Sequence, residues 1–185
     1  MGNNSSGSSK CNVPTIGVDG IKKKVRCFDC YLKRNDKQKE EWEKMKISKS
    51  KEDKEDFLDL KMTDDEKEKE LDNFILTQVA WYYARDGFHR ILQLRFECNF
   101  CHDCHYVQMD KTTEGKKIRY GYTYYKAPEW WHWYKKPSYS YSFKTILKYF
   151  TNSENYYHWA KNNCKDFAHS IWDKIEGKES TTAFY

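Results

Sequence analysis

Residues 88–110 read FHRILQLRFECNFCHDCHYVQMD, and this stretch decides the fold that the sequence predicts. Phe88 to Phe96 and His105 to Asp110 each alternate or run apolar over the length of a strand. A loop that carries three cysteines separates the two segments. Two strand-length segments joined by a loop predict a β-hairpin, so we expect this stretch to lie in a small antiparallel sheet.

The segments around the hairpin predict an α+β domain over residues 66–177. Asp65 to Arg85 carries apolar residues at three- and four-residue steps, which predicts an amphipathic helix. Ile118 to Tyr125 has aromatic residues with a period of two and predicts a third strand. Ser142 to Phe150 predicts a short helix, and Asn163 to Ile175 predicts a longer one that packs on the sheet.

Residues 1–65 differ in composition from this domain, and residues 178–185 form a short tail. Lys, Glu and Asp dominate residues 36 to 72, which predicts solvated helix or partly disordered chain without a packed core. A net charge of +5, with 33 basic and 28 acidic residues interspersed, does not favour nucleic acid as a partner. There is no apolar run of membrane-span length and no secretory signal, so we expect a cytoplasmic protein.

The first ten residues, MGNNSSGSSK, fit the N-myristoylation pattern, with Gly2 as the acylated residue. The basic cluster Lys22, Lys23, Lys24 and Arg26 would supply the second signal that one acyl chain needs for stable anchoring. Peripheral attachment to a membrane is therefore an expectation. The alternative is a disordered polar leader.

Cys164 stands at the start of the last predicted helix, in the sequence NNCKDF. Asn163 is a good N-cap residue and Asp166 follows three residues later, as in a capping box. The thiol would then meet the positive end of the helix, which lowers a thiol pKa, and backbone N–H groups there could hold an oxyanion. The alternative is a small buried side chain on an apolar helix face.

A nucleophilic thiol needs a general base, and His89 at the start of the first hairpin strand is placed to serve as one. In the hairpin, His89 would lie across from roughly residues 110 to 113. Gln108 and Asp110 both qualify as the group that orients the imidazole, and we favour Gln108. Each of the two could equally be a solvent-facing strand residue.

This order resembles the circularly permuted NlpC/P60 papain-like superfamily, which includes lecithin:retinol acyltransferase-like enzymes and PPPDE peptidases. The shared pattern is a histidine on an early strand, a polar residue on the next strand and a cysteine in an NC-x-x-F box, here Asn163 to Phe167. The resemblance spans roughly residues 87 to 177. It implies a papain-like fold with Cys164 as the nucleophile and His89 as the base.

The predicted reaction is hydrolysis or acyl transfer through an acyl-thioester on Cys164. Esters and amides of lipids or proteins are all possible substrates, and neither a cofactor for catalysis nor nucleic acid is expected. The rival prediction is a non-catalytic, membrane-associated interaction module. In that case the contact surface would comprise Trp130, Trp131 and Trp133.

The remaining cysteines predict a metal site. Two C-x-x-C pairs can provide four thiolates for one tetrahedral zinc ion. The predicted ligands are Cys27, Cys30, Cys98 and Cys101. The alternative is a hairpin loop of reduced thiols. C-x-x-C-H also matches covalent haem attachment, which the absence of an export signal makes improbable.

Overall fold

The computed structural model describes residues 25–45, 51–83, 89–120 and 132–177. Four helices come first within these ranges: α1 (Phe28–Arg34), α2 (Asp36–Met45), α3 (Lys51–Lys61) and α4 (Asp64–Glu70). Five strands follow: β1 (Phe74–Tyr83), β2 (Arg90–Cys98), β3 (Cys104–Thr112), β4 (Gly115–Tyr120) and β5 (His132–Lys135). Two further helices are α5 (Phe143–Asn152) and α6 (Cys164–Glu176). The chain therefore mixes helices with an antiparallel sheet, as the sequence predicts.

The five strands form one sheet in the order β4-β3-β2-β1-β5, and each neighbouring pair is antiparallel. The predicted hairpin is confirmed as β2 and β3, with Ile91 opposite Asp110 and Leu94 opposite Val107. The chain reverses at His102, whose φ of 62° is left-handed. The third predicted strand is confirmed in part as β4, and residues 121–125 lie outside the described residues.

The prediction of one helix over Asp65 to Arg85 is wrong. Within the described part of this span, the α-helix is limited to α4, a 3-10 turn covers Leu71–Asn73, and β1 begins at Phe74. The strand segment FILTQVAWYY is rich in β-branched and aromatic residues, which favour a strand. A bulge between Leu76 and Gln78 shifts the alternation, so that buried residues recur at irregular steps that resemble a helical period.

Helices α5 and α6 bury their apolar faces in the main core. The predicted helix after Ser142 is confirmed, and the Ser142 side chain caps it by accepting from the Thr145 N–H. In α6, Phe167, Ile171 and Ile175 are buried in one core with Leu92, Leu94 and Phe96 of β2. Burial of each large apolar side chain stabilises the domain by about 1.5–3 kcal/mol. A left-handed Gly177 ends α6, as predicted.

The helices before the sheet enclose a second, smaller cluster, which corrects the expectation of no packed core over residues 36 to 72. Its buried members are Phe28, Tyr31, Leu32, Phe57, Leu58 and Met62. Val25 and Cys27, which precede α1, and Cys30 within it belong instead to the main core. The predicted boundary between residues 65 and 66 stays a prediction.

Among the described residues, no helix is both long and apolar enough to cross a membrane. Gly2, the cluster Lys22 to Lys24, Trp130 and Trp131 lie outside the described residues. Trp133 belongs to β5, where its backbone is opposite Trp81 of β1. Sequence analysis did not predict this fifth strand.

Candidate active site and metal centre

Cys164 is the first residue of α6, and Asn163 caps the helix as predicted. The Asn163 side chain accepts hydrogen bonds from the backbone N–H groups of Lys165, at 2.8 Å, and Asp166, at 3.2 Å. The Asp166 carboxylate accepts in turn from the Asn163 N–H, which completes a capping box. Cys164 is 6% exposed. The sulfur therefore lies at the positive end of a firmly capped helix.

His89 hydrogen-bonds to the Cys164 thiol. The residue directly precedes β2, so the end of that strand carries the imidazole to the start of α6. On its other side the ring contacts Asp110 of β3, with 2.9 Å between Nε2 and Oδ2. Since Nε2 faces Asp110, Nδ1 is the ring nitrogen that can exchange a proton with the sulfur. The start of α6, the residue before β2 and strand β3 thus bring a thiol, an imidazole and a carboxylate into one hydrogen-bonded chain.

Gln108, the favoured orienting residue, does not contact His89 and instead donates from Nε2 to the Tyr82 hydroxyl at 2.6 Å. Gln108 and Asp110 point to the same face of β3, because they are two residues apart on a strand. The register decides between them. Asp110 is opposite Ile91 and so lies beside the strand end that carries His89, whereas Gln108 is opposite Gln93, farther along β2.

Arg119 holds Asp110 from the far side. Its Nη1 lies 3.0 Å from Asp110 Oδ2, the same oxygen that contacts His89. Asp110 itself is 1% exposed, so water is excluded from its carboxylate and the interactions with His89 and Arg119 are strong. Sequence analysis missed Arg119. The signal in the sequence was a basic residue on the predicted third strand, and the β3–β4 register places it opposite Gln108.

The contacts shift the pKa values of the thiol and the imidazole in opposite directions. Hydrogen bonds to Asp110 and then to Cys164 outweigh burial and raise the pKa of His89 to about 9. Burial by itself would raise the pKa of Cys164. The hydrogen bond from His89 and those from the backbone N–H groups of Arg90 and Lys165 outweigh it, and the pKa of Cys164 is lowered. These directions favour a thiolate beside an imidazolium.

Three other histidines have hydrogen-bonding partners of their own. His102 contacts Glu97, and His105 contacts the Tyr120 hydroxyl. His169 lies on α6 five residues after Cys164, and its Nε2 contacts Arg90 at 2.5 Å. Each of these contacts engages a ring nitrogen with a group other than the Cys164 thiol, and His89 is the histidine that hydrogen-bonds to this thiol.

The four cysteines predicted as metal ligands come together. The sulfur atoms of Cys27, Cys30, Cys98 and Cys101 all lie within 4.8 Å of one another, and those of Cys27 and Cys101 are 3.2 Å apart. A tetrahedral zinc ion with bonds of about 2.3 Å needs sulfurs about 3.8 Å apart. Small side-chain adjustments therefore suffice for these residues to hold one metal ion.

Backbone N–H groups already point at these sulfurs. The N–H groups of Phe100 and Cys101 donate to Cys98, and that of Asp103 donates to Cys101. The Cys30 N–H donates to Cys27 in the same way. Such hydrogen bonds stabilise thiolate charge, which is the form that ligates a metal. At Cys98 they outweigh burial and the pKa is lowered, whereas at Cys27 and Cys101 burial outweighs them and the pKa is raised. The turns after the first cysteine of each C-x-x-C pair are therefore arranged for ligation.

Cys104 follows the same loop but does not join the cluster. It is exposed, and the Arg95 guanidinium contacts its sulfur through Nη2 at 2.8 Å and Nε at 3.2 Å. Because Cys104 already belongs to β3, the direction of the strand carries its side chain away from the loop. The sequence pattern left it ambiguous which of the three loop cysteines would be ligands.

Comparison of the chain with protein-family models, with curated proteins and with solved structures found no match.

Proposed function

We propose that the protein is a cysteine-nucleophile hydrolase or acyltransferase in which Cys164, His89 and Asp110 carry the reaction. The observation that supports this most is the hydrogen-bonded row from the Cys164 thiol through His89 to the buried Asp110 carboxylate. A base beside the nucleophile, itself oriented by a third group, is the arrangement that nucleophilic catalysis requires. Asp110 takes the orienting role that the sequence assigned to Gln108.

In the first half of the reaction, the Cys164 thiolate attacks the carbonyl carbon of an ester or amide. A carbon–sulfur bond forms and the carbonyl electron pair moves to oxygen. When the pair returns, the bond to the leaving oxygen or nitrogen breaks, and the His89 imidazolium gives that atom its proton. The products are an acyl-thioester on Cys164, a neutral imidazole and a released alcohol or amine.

In the second half, water or an acceptor alcohol or amine attacks the thioester carbon. Neutral His89 takes the proton of the attacking group, and the carbon–sulfur bond breaks to regenerate the thiolate. Asp110 stabilises the imidazolium in both halves without accepting the proton itself. Transfer to water gives hydrolysis, and transfer to an acceptor gives acyl exchange.

The first turn of α6 supports stabilisation of the tetrahedral oxyanion. The Asn163 side chain takes the N–H groups of Lys165 and Asp166, and the Asn163 carbonyl takes that of Phe167. The Cys164 N–H lies in the same turn, at the positive end of the helix and on the residue that carries the nucleophile, and we assign it as the oxyanion donor. Removal of one such donor in an enzyme site costs about 2.7–4 kcal/mol of transition-state stabilisation.

A resemblance to the circularly permuted NlpC/P60 papain-like superfamily agrees with this proposal. The order is a histidine at an early strand, a polar residue on the next strand and a cysteine at a later helix. Asp110 replaces Gln108 as that polar residue. The substrate class within the proposal is an acyl ester or amide of a lipid or a protein.

A chromogenic acyl ester, such as a p-nitrophenyl ester, tests the proposal. The expected result is a burst of nitrophenol and an acyl adduct that intact mass and peptide mapping place on Cys164. Cys164→Ala should abolish the adduct, and His89→Ala should slow its formation at least about 100-fold. Cys104→Ala is the matched control, because it removes an exposed thiol outside both sites, and it should change nothing. An adduct that forms on Cys164 no faster than on Cys104 overturns the proposal.

A second proposal concerns the four-cysteine cluster, which we infer to be a structural zinc site. The mutual distance of the sulfurs and the N–H groups that point at them support it. Metal analysis of the purified protein should find one zinc ion per chain, and Cys98→Ser with Cys101→Ser should abolish it. Cys104→Ser should retain the zinc. An unchanged metal content in the double variant would exclude these residues as ligands.

A non-catalytic, membrane-associated interaction module with this zinc site is the alternative function. It predicts that Cys164 reacts like a free thiol while zinc and fold are retained. Peripheral attachment through an acyl chain on Gly2 is compatible with either function and is tested separately. A myristate analogue should label the wild type in cells, and Gly2→Ala should remove both the label and any membrane-bound fraction.

A further inference from the structure

Lys111 is a buried charge that the proposed chemistry does not use. It follows Asp110 on β3 and is 0% exposed. Because neighbouring strand residues point to opposite faces, Lys111 extends to the helix side of the sheet while Asp110 reaches His89. Burial lowers the pKa of Lys111, and the carboxylates of Glu154 and Asp166 partly oppose that shift. A fully buried amine has a desolvation cost and therefore calls for a specific role.

The Lys111 ammonium donates to the side-chain oxygen of Asn162 at 2.6 Å. The amide nitrogen of Asn162 donates in turn to the Glu154 carboxylate, at 2.5 Å, and to the Tyr156 carbonyl, at 2.7 Å. A lysine can only donate, whereas a carboxylate and a carbonyl can only accept, so these partners leave the amide one possible orientation. Lys111 thus connects the C-terminal end of β3 to the segment that leads into α6.

Asn162 has a left-handed backbone, with φ of 59°, two residues before the nucleophile. Non-glycine residues adopt this region infrequently and keep it only where their surroundings hold them there. The next residue, Asn163, turns back to an extended conformation and caps α6. The direction in which the chain enters the helix, and so the position of the Cys164 sulfur, depends on this reversal.

We propose that Lys111 is a positioning residue that acts through Asn162 to hold the Cys164 turn in register with His89. The proposal rests on the proposed function, since it assigns Lys111 to the same site. Two consecutive residues of β3 then position the two reacting groups. Asp110 orients the imidazole of His89, and Lys111 orients the turn that carries the Cys164 thiol.

The test measures alkylation of Cys164 by chloroacetamide across pH, with peptide mapping to separate it from other thiols. Lys111→Met keeps the unbranched chain as far as Cε and removes the donor Nζ. Asn162→Gly keeps the left-handed conformation and removes the amide. We expect each variant to lower the plateau rate roughly 10- to 100-fold and to move the pH midpoint toward that of a free thiol. Combined, they should lose no more than the stronger single variant, because Asn162→Gly already removes the hydrogen bond that Lys111→Met removes.

Two controls separate positioning from general stability. Ile171→Val trims a buried residue of α6 and should lower the thermal midpoint without moving the pH midpoint of alkylation. Lys135→Met removes a lysine that pairs with Glu176 at the opposite end of α6, and it should leave alkylation unchanged. Circular dichroism confirms that each variant is folded.

The outcomes distinguish the two proposals. If the wild-type Cys164 reacts no faster than a free thiol, the proposed function is overturned and the role of Lys111 with it. If the wild-type thiol is activated but Lys111→Met and Asn162→Gly retain its rate and pH midpoint, only the Lys111 proposal is overturned. Additive losses in the double variant also overturn it, because the two residues would then act separately.

Discussion

Cys164 and the four-cysteine cluster place the same side chain in two different environments. At the start of α6, one thiol has an imidazole, a capped helix end and backbone N–H groups around it. At the β2–β3 loop, four thiols lie within 4.8 Å of one another beside further N–H groups. In both places N–H groups favour thiolate charge. The two environments differ in what else lies beside the sulfur. Cys164 has the imidazole of His89, whereas each thiol of the cluster has three other sulfurs.

This difference explains how one chain can use cysteine for chemistry and for structure. An imidazole can return a proton to a leaving group, so the thiolate beside it can enter a reaction cycle. Four sulfurs within 4.8 Å of one another would instead share a metal ion in the structural zinc site that we propose, and as metal ligands they would lose their nucleophilic freedom. The cluster also connects two distant parts of the chain. Cys27 precedes α1 and Cys30 lies within it, whereas Cys98 and Cys101 lie at the β2–β3 loop. We expect the two sites to respond to perturbation independently.

Removal of the metal should have the largest effect and should be confined to one site. A chelator is expected to lower the thermal midpoint by roughly 10 °C or more, because metal binding energy contributes to folding energy. Below the new midpoint, the rate of Cys164 alkylation should change less than about twofold. Calorimetry and alkylation on the same sample measure both. A parallel loss of Cys164 reactivity below that midpoint would break the comparison, since it would couple the two sites.

Asp110→Asn should reduce acylation of Cys164 by about 100-fold, which corresponds to about 2.7 kcal/mol of transition-state stabilisation. Asp110 is the largest cause of the raised pKa of His89, so its loss should lower that pKa and weaken the thiolate. Burst kinetics with the chromogenic ester measure the rate. Asp173→Asn, a carboxylate farther along α6, is the control. A variant that retains the wild-type rate would remove Asp110 from the site.

The imidazolium of His89 should also stabilise the fold, with a defined dependence on pH. Its pKa is about 9 in the folded protein, against about 6.5 in an unfolded chain. The contribution is therefore present in full below about pH 6.5 and is lost as pH rises through about 9. Urea unfolding of the wild type and of His89→Gln should show a gap on the order of 2 kcal/mol at low pH that closes at high pH. A gap that stays constant would contradict the raised pKa.

Gln108→Met should have the smallest effect on Cys164. The substitution removes the hydrogen bond to the Tyr82 hydroxyl, so we expect the free energy of unfolding to fall by about 1 kcal/mol. Alkylation and acylation should each change less than about twofold. Paired measurements on Gln108→Met and Asp110→Asn compare the two candidates directly. If Gln108→Met slows acylation as strongly as Asp110→Asn, the orienting role returns to Gln108.

Several features of the site follow from local rules and were predictable from the sequence. Asn163 and Asp166 form the predicted capping box, and Gly177 ends the helix where expected, since caps depend on residues within one turn. The hairpin is also local, because its two strands adjoin in sequence. Each C-x-x-C pair is local as well, since thiolates in one tight turn already form half of a tetrahedral site. The fold then brings the two predicted pairs together over 74 positions of sequence.

Other features depend on contacts between distant parts of the chain. The choice between Asp110 and Gln108 needed the register of β2 against β3, because both side chains share one face and the same polar character. The segment from Phe74 to Tyr83 fits a helical spacing and is a strand because β2 and β5 pair with it on both sides. Lys111 and Asn162 are 51 positions apart, and no local pattern links them. Hydrogen bonding between such distant groups is determined by how the sheet and α6 pack, so it emerges only in the folded chain.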